Sequence, residues 1–83
     1  MTQFEQCLVD ILAELTDAER STISLTDTLD QQGVDSLVAL RLARGIHDRT
    51  GIEIELEALF DYPSVRLLAQ HLQALAAQTA GAV

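Results

Sequence analysis

The stretch Gly33-Val34-Asp35-Ser36-Leu37-Val38-Ala39-Leu40-Arg41-Leu42-Ala43-Arg44-Gly45-Ile46-His47 decides how this chain is read. Asp35 precedes an apolar-periodic run, so its carboxylate can accept an orphan backbone N–H as the N-cap of a helix. That helix is expected to end near Thr50-Gly51, with Gly51 just past its C-terminus. It holds more apolar residues than one stripe needs. Leu42 and Ile46, with Val38 or Ala39, form one face suited to a core. Leu37 and Leu40, followed by Arg41 and Arg44, form a second face, and apolar residues edged by charge mark a partner surface. Gly45 within the helix costs about 1 kcal/mol against alanine, which points to close approach of another helix there.

Outward from this stretch the chain reads as all helix. From Thr2 to about Leu15, Phe4, Leu8, Ile11, Leu12 and Leu15 make the stripe of an amphipathic helix. From Asp17 to Asp35 runs a connection rich in Thr, Ser, Asp and Gln, with Ile23, Leu25, Leu29 and Val34 as apolar anchors and a short helical turn expected near Asp27–Leu29. Ile52, Ile54 and Leu56 alternate with glutamates, the period of a strand. No second strand candidate pairs with them, so an extended loop that pushes Ile54 inward is the better reading. Glu57 to Asp61 makes one helical turn, and Ser64 caps a last helix with Val65, Leu68, Leu72 and Leu75 on one side. Residues 77–83 are expected to be a frayed tail or linker beyond a core of about 3–76, in one domain spanning 1–83.

Composition narrows the function classes. Hydrophobic residues are 48% of the 83, but aromatics only 4%, so the core is aliphatic and packed helices are favoured. The 13 acids against 5 arginines leave a net charge of −8, a poor surface for nucleic acid or anionic lipid. Between Ser36 and Thr50 three arginines face one acid, so one part of the surface differs electrically from the rest. No apolar run approaches the ~18 residues of a membrane span, the start lacks a signal peptide's basic residues, and the single Cys7 cannot form an internal disulfide. These features predict a cytoplasmic monomer.

Chemistry is sparse. Ser36 as a catalytic nucleophile needs a base, and His47 lies eleven residues along the same helix, about 16 Å away. His71 could approach only through tertiary packing, and no glycine completes a nucleophile elbow after Ser36. Two histidines and one cysteine give no metal-ligand spacing. An enzyme is therefore not expected, nor a metal. A serine at a helix start is a cap or an exposed filler on the plainer reading. The same position suits a phosphate-linked group, because unpaired N–H groups and the positive helix end favour an anion, and Gly33 frees the backbone just before the turn. Physics permits a modification there without demanding it.

Gly33-Val34-Asp35-Ser36-Leu37, with Phe60-Asp61-Tyr62-Pro63-Ser64 at this distance, resembles the acyl carrier protein family, and the likeness extends over Gly33 to Leu72 and more loosely upstream. The resemblance implies a small four-helix carrier bundle, with three longer helices, a short third helix and a long first loop. It implies that Ser36, flanked by Gly33, Asp35 and Leu37, takes a covalent 4′-phosphopantetheine from coenzyme A through a phosphopantetheinyl transferase. The arm's thiol then holds acyl or polyketide intermediates as thioesters for an acyltransferase, a ketosynthase or other synthase enzymes. Leu37, Leu40, Arg41 and Arg44 are the expected docking residues. Val34 stands where peptidyl carriers usually have a second glycine, and "FDYPSV" together with the arginines looks most like polyketide synthase carriers. A peptidyl or aryl carrier, or an unmodified interaction module, is the alternative.

Overall fold

The computed structural model describes residues 1–81 of the chain. Four α-helices follow one another: α1 (Gln3–Thr16), α2 (Ser36–Thr50), α3 (Leu56–Asp61) and α4 (Val65–Gly81). This is the four-helix arrangement that the resemblance implies, with α3 as the short member.

Thr2 starts α1 through a capping box, in which its hydroxyl accepts the Glu5 N–H while Glu5 accepts the Thr2 N–H at 2.8 Å. The helix packs against both α2 and α4 and so lies at the centre of the bundle. Leu8 and Leu12 of α1, Leu42 and Ile46 of α2, and Leu68 and Leu72 of α4 are all but fully buried. Each such side chain stabilises the fold by about 1.5–3 kcal/mol at most. Val9 and Ala13 are buried as well, because α1 has neighbours on two sides and needs an apolar arc wider than a single stripe. Gly45 has the close neighbour its position suggested: a Cβ there would stand 3.1 Å from Ile11 Cγ2 of α1.

The long first connection is tied down more regularly than its composition suggests. Its helical turn falls on Asp30–Gln32, with another at Arg20–Thr22, and not at Asp27–Leu29. Thr28 instead pairs with Ser64 in an isolated antiparallel bridge, and the Leu29 N–H donates to Pro63 O at 2.7 Å. Winding therefore begins only at Leu29, whose φ of −63° and ψ of −37° are helical. The Gln32 side-chain amide then closes the loop, accepting from the Ser24 N–H and donating to the Ser24 and Asp27 carbonyls. Leu29 and Val34 are buried anchors, while Ile23 and Leu25 are half-buried.

After α2, residues 51–55 belong to no helix or strand, Glu55 is extended, and Ile54 turns into the core. Leu56 opens α3, one residue earlier than expected. Ser64 precedes α4, its hydroxyl accepting the Leu67 N–H and its carbonyl the Leu68 N–H. The last helix continues to Gly81, past the expected core limit at residue 76, because the alanine-rich sequence sustains helix. The end of the expected tail, 82–83, lies outside the described residues.

Candidate functional site

Ser36 is the first residue of α2 and is exposed. Asp35 is its N-cap, one carboxylate oxygen accepting the Val38 N–H at 2.9 Å. Gly33 has φ +90°, a left-handed backbone that other residues rarely adopt, and it lets the chain leave the Asp30–Gln32 turn and enter α2. Val34 tucks into the core beside it, its N–H donating to Leu29 O. The serine is thus held at a corner fixed on both sides. Among the described residues its hydroxyl makes no hydrogen bond, and the amide N–H groups of Ser36 and Leu37 have no partner. An exposed hydroxyl beside two open donors at a helix's positive end fits a phosphate ester.

The histidines do not serve this hydroxyl. His47 is exposed towards the far end of α2, and His71 lies flat on the Tyr62 ring, centroids 4.2 Å apart. This stack joins the α3–α4 corner to α4, and nothing in the sequence pattern pointed to it. Burial pushes the Cys7 thiol up, away from reactivity, as suits a small apolar filler packed against the core. Among the described residues no group of His, Cys, Asp or Glu could hold a metal ion, and no helix is long and apolar enough to cross a membrane.

Leu37 and Leu40 are 57% and 55% exposed, and Arg41 and Arg44 extend the same outer face. The other three arginines hold acids: Arg20 with Asp10, Arg49 with Glu14, and Arg66 with Glu5. Among the described residues Arg41 and Arg44 have no such partner. Leu40, Arg41, Arg44 and Gly45 also line a shallow, mostly apolar groove with Leu15 of α1.

A second concavity was not foreseen. A cleft of about 190 Å³ lies between the first connection, α2 and α3. Leu29, Val34, Ala39 and Leu59 give it an apolar lining, Phe60 and Pro63 close one side, and Asp30 and Asp35 stand at its polar edge. Finding it needed the tertiary meeting of α3 with the α2 start, which no local pattern encodes.

Residues 6–72 match the family described as the phosphopantetheine attachment site. Nonribosomal peptide synthetase AsqK of Emericella nidulans is 37% identical over 70 residues, covering 84% of this chain and 3% of that protein. Erythronolide synthase EryA2 of Saccharopolyspora erythraea is 31% identical over 70 residues, covering 83% of this chain and 2% of that one. The chain therefore spans only a few per cent of these relatives' lengths. A free-standing peptidyl carrier protein from a secondary metabolic pathway of Acinetobacter baumannii superposes with a TM-score of 0.83 at 29% identity, over 88% of this chain and 91% of that one.

Proposed function

The chain belongs to the phosphopantetheine attachment-site family, whose members carry a covalent 4′-phosphopantetheine, and from that premise we propose that Ser36 is the residue to which this carrier's arm is joined. The observation that carries the reading is the exposed, unengaged Ser36 hydroxyl at the first position of a firmly capped helix. When attached, the group supplies a terminal thiol that holds cargo as a thioester. The chain's own residues do the rest. Asp35 and Gly33 fix the corner, the unpartnered Ser36 and Leu37 amides would serve the phosphate, and the buried face of α2 makes a rigid base.

The Ser36 hydroxyl meets a phosphopantetheinyl transferase, and the loaded domain is presented to synthase enzymes, an acyltransferase and a ketosynthase among them. Partners meet the protein through Leu37, Leu40, Arg41 and Arg44. Two exposed leucines give an apolar handle, and two arginines free of internal acids favour an acidic counterpart. In this reading the protein presents its cargo and does not transform it.

The cargo is an acyl or polyketide intermediate, a reading supported by Val34 in place of a second glycine and by the likeness to a polyketide synthase. A peptidyl cargo is the second reading, favoured by the likeness to a peptide synthetase and to a peptidyl carrier structure. Charging of the loaded protein by an acyltransferase, and not by an adenylating enzyme, separates the two. The attachment itself is tested by intact-protein mass after incubation with coenzyme A and a broad-specificity transferase. Wild type is expected to gain one phosphopantetheinyl group and Ser36→Ala none; equal gain in both would place the site elsewhere.

A further inference from the structure

Resting on the reading that partners meet the outer face of α2, we propose that the groove between α1 and α2 receives an amphipathic helix of the partner in one direction only. The helix lies with its acidic end towards Ser36 and its basic end towards Gly51. One wall of the groove is Leu15 of α1, half-buried, and the other is Leu40 of α2, 55% exposed. Gly45 stands between them, and a Cβ there would meet Ile11 Cγ2 at 3.1 Å, so the floor is closed against the core. An apolar side chain of the partner therefore rests across Leu15 and Leu40 without prising the two helices apart. The groove brings α1 into a surface that α2 alone would not complete.

Direction comes from the order of the charges along this floor. Arg41 and Arg44 line the part nearer Ser36, and Asp48 lines the part nearer the end of α2. At a rise of about 1.5 Å per residue, Asp48 lies about 10 Å beyond Arg41 along the helix. All three are exposed, and among the described residues none has an ion-pair partner. Arg49, next to Asp48, is tied to Glu14 and does not cancel that acid. The dipole of α2 runs in the same sense, positive at Ser36 and negative at Thr50. A groove that is apolar along its floor, positive at one end and negative at the other fits a helix with carboxylates on one turn, an apolar anchor, and a cation about two turns on. The opposite direction sets carboxylate against Asp48 and cation against the two arginines. A single direction fixes which part of the partner faces the tether.

The probe is a synthetic stapled helix with two glutamates, a leucine and, two turns on, a lysine, carrying a nitroxide at either its acidic or its basic end. It is added to the isotope-labelled full chain, and line broadening and Leu15 methyl shifts are read by nuclear magnetic resonance. The nitroxide at the acidic end is expected to broaden the Ser36 and Leu37 amides, and that at the basic end the Thr50 and Gly51 amides, while the Leu15 methyls shift. In the chain with Arg41→Glu, Arg44→Glu and Asp48→Lys, all changes at exposed side chains, the two broadening patterns are expected to exchange. Should that chain melt early, the wild-type pair of labels decides alone. Equal broadening at both ends of α2, or patterns that do not exchange in a folded swapped chain, would overturn the proposal. Broadening along α2 with unmoved Leu15 methyls would overturn the groove and leave the docking reading standing. No response on α2 from either label would sink the docking reading and the proposal with it.

Discussion

The two long faces of α2 draw on similar residues and end in opposite environments. Inward, Ala39, Leu42 and Ile46 are at most 3% exposed and lock the helix against the rest of the core. Outward, one residue or two away, Leu37 and Leu40 are more than half exposed, and Arg41 and Arg44 lack the acids that hold the other three arginines. Hydrophobicity alone does not separate the faces, since leucine occupies both. The difference lies in what each face meets, and an outward leucine adds little to the fold while exposing surface that a partner can cover. A helix with a packed inner face and an open outer one can carry a modified serine at its tip without yielding when a partner binds.

The sharpest way to break this comparison is truncation on each face. Leu42→Ala should cost about 2–5 kcal/mol of stability, whereas Leu40→Ala should change it by no more than about 0.5 kcal/mol, both read from denaturant midpoints. Equal losses would mean that the outer face is part of the fold. Next in size is charge reversal of the unpaired arginines. Arg41→Glu with Arg44→Glu should slow transfer with a cognate partner about tenfold at low salt and leave the melting temperature nearly unchanged. A slowed rate that does not recover some dependence on salt, or a protein that melts early, would show that these side chains act structurally.

The smallest effect comes from the N-terminus of α1, where a charge is engaged within the fold and not held out to a partner. The Glu5 carboxyl is pulled below its usual range chiefly by the Thr2 N–H that it accepts, against the opposing effect of its burial, with help from the Thr2 hydroxyl and from Arg66. The folded chain then binds fewer protons than the unfolded one in that range. The stability from this contact is complete above the ordinary glutamate pKa of about 4.3 and is lost as pH falls through the lowered value. Melting temperatures between about pH 6 and pH 3 should therefore fall less steeply in Glu5→Gln than in wild type. Parallel curves would remove Glu5 from the account.

Much of the α2 comparison was legible in the sequence because it is local. A cap residue, a helical period and an excess of leucine are all read within one stretch, and Asp35, the buried trio and the outer face fall where that stretch puts them. The first connection was harder, because its fastening depends on residues far along the chain. Leu29 meets Pro63, Arg66 donates its backbone N–H to Leu25, and Thr28 bridges Ser64, so a turn expected at Asp27–Leu29 formed at Asp30–Gln32 instead. For the site, the serine and its neighbours stood out from the motif. The cleft did not, since Leu59 and Phe60 approach Val34 and Ala39 only after folding. Nor did the special standing of Arg41 and Arg44, which emerged once the acids claimed by Arg20, Arg49 and Arg66 were known.

Whether the hydroxyl at the tip of α2 is the tether is decided by peptide mapping of the transferase-treated wild-type protein with fragmentation of the modified peptide. The phosphopantetheinyl group is expected on Ser36 and on no other residue. Its recovery on another serine or threonine, or a folded chain left entirely unmodified by an active transferase, would contradict it.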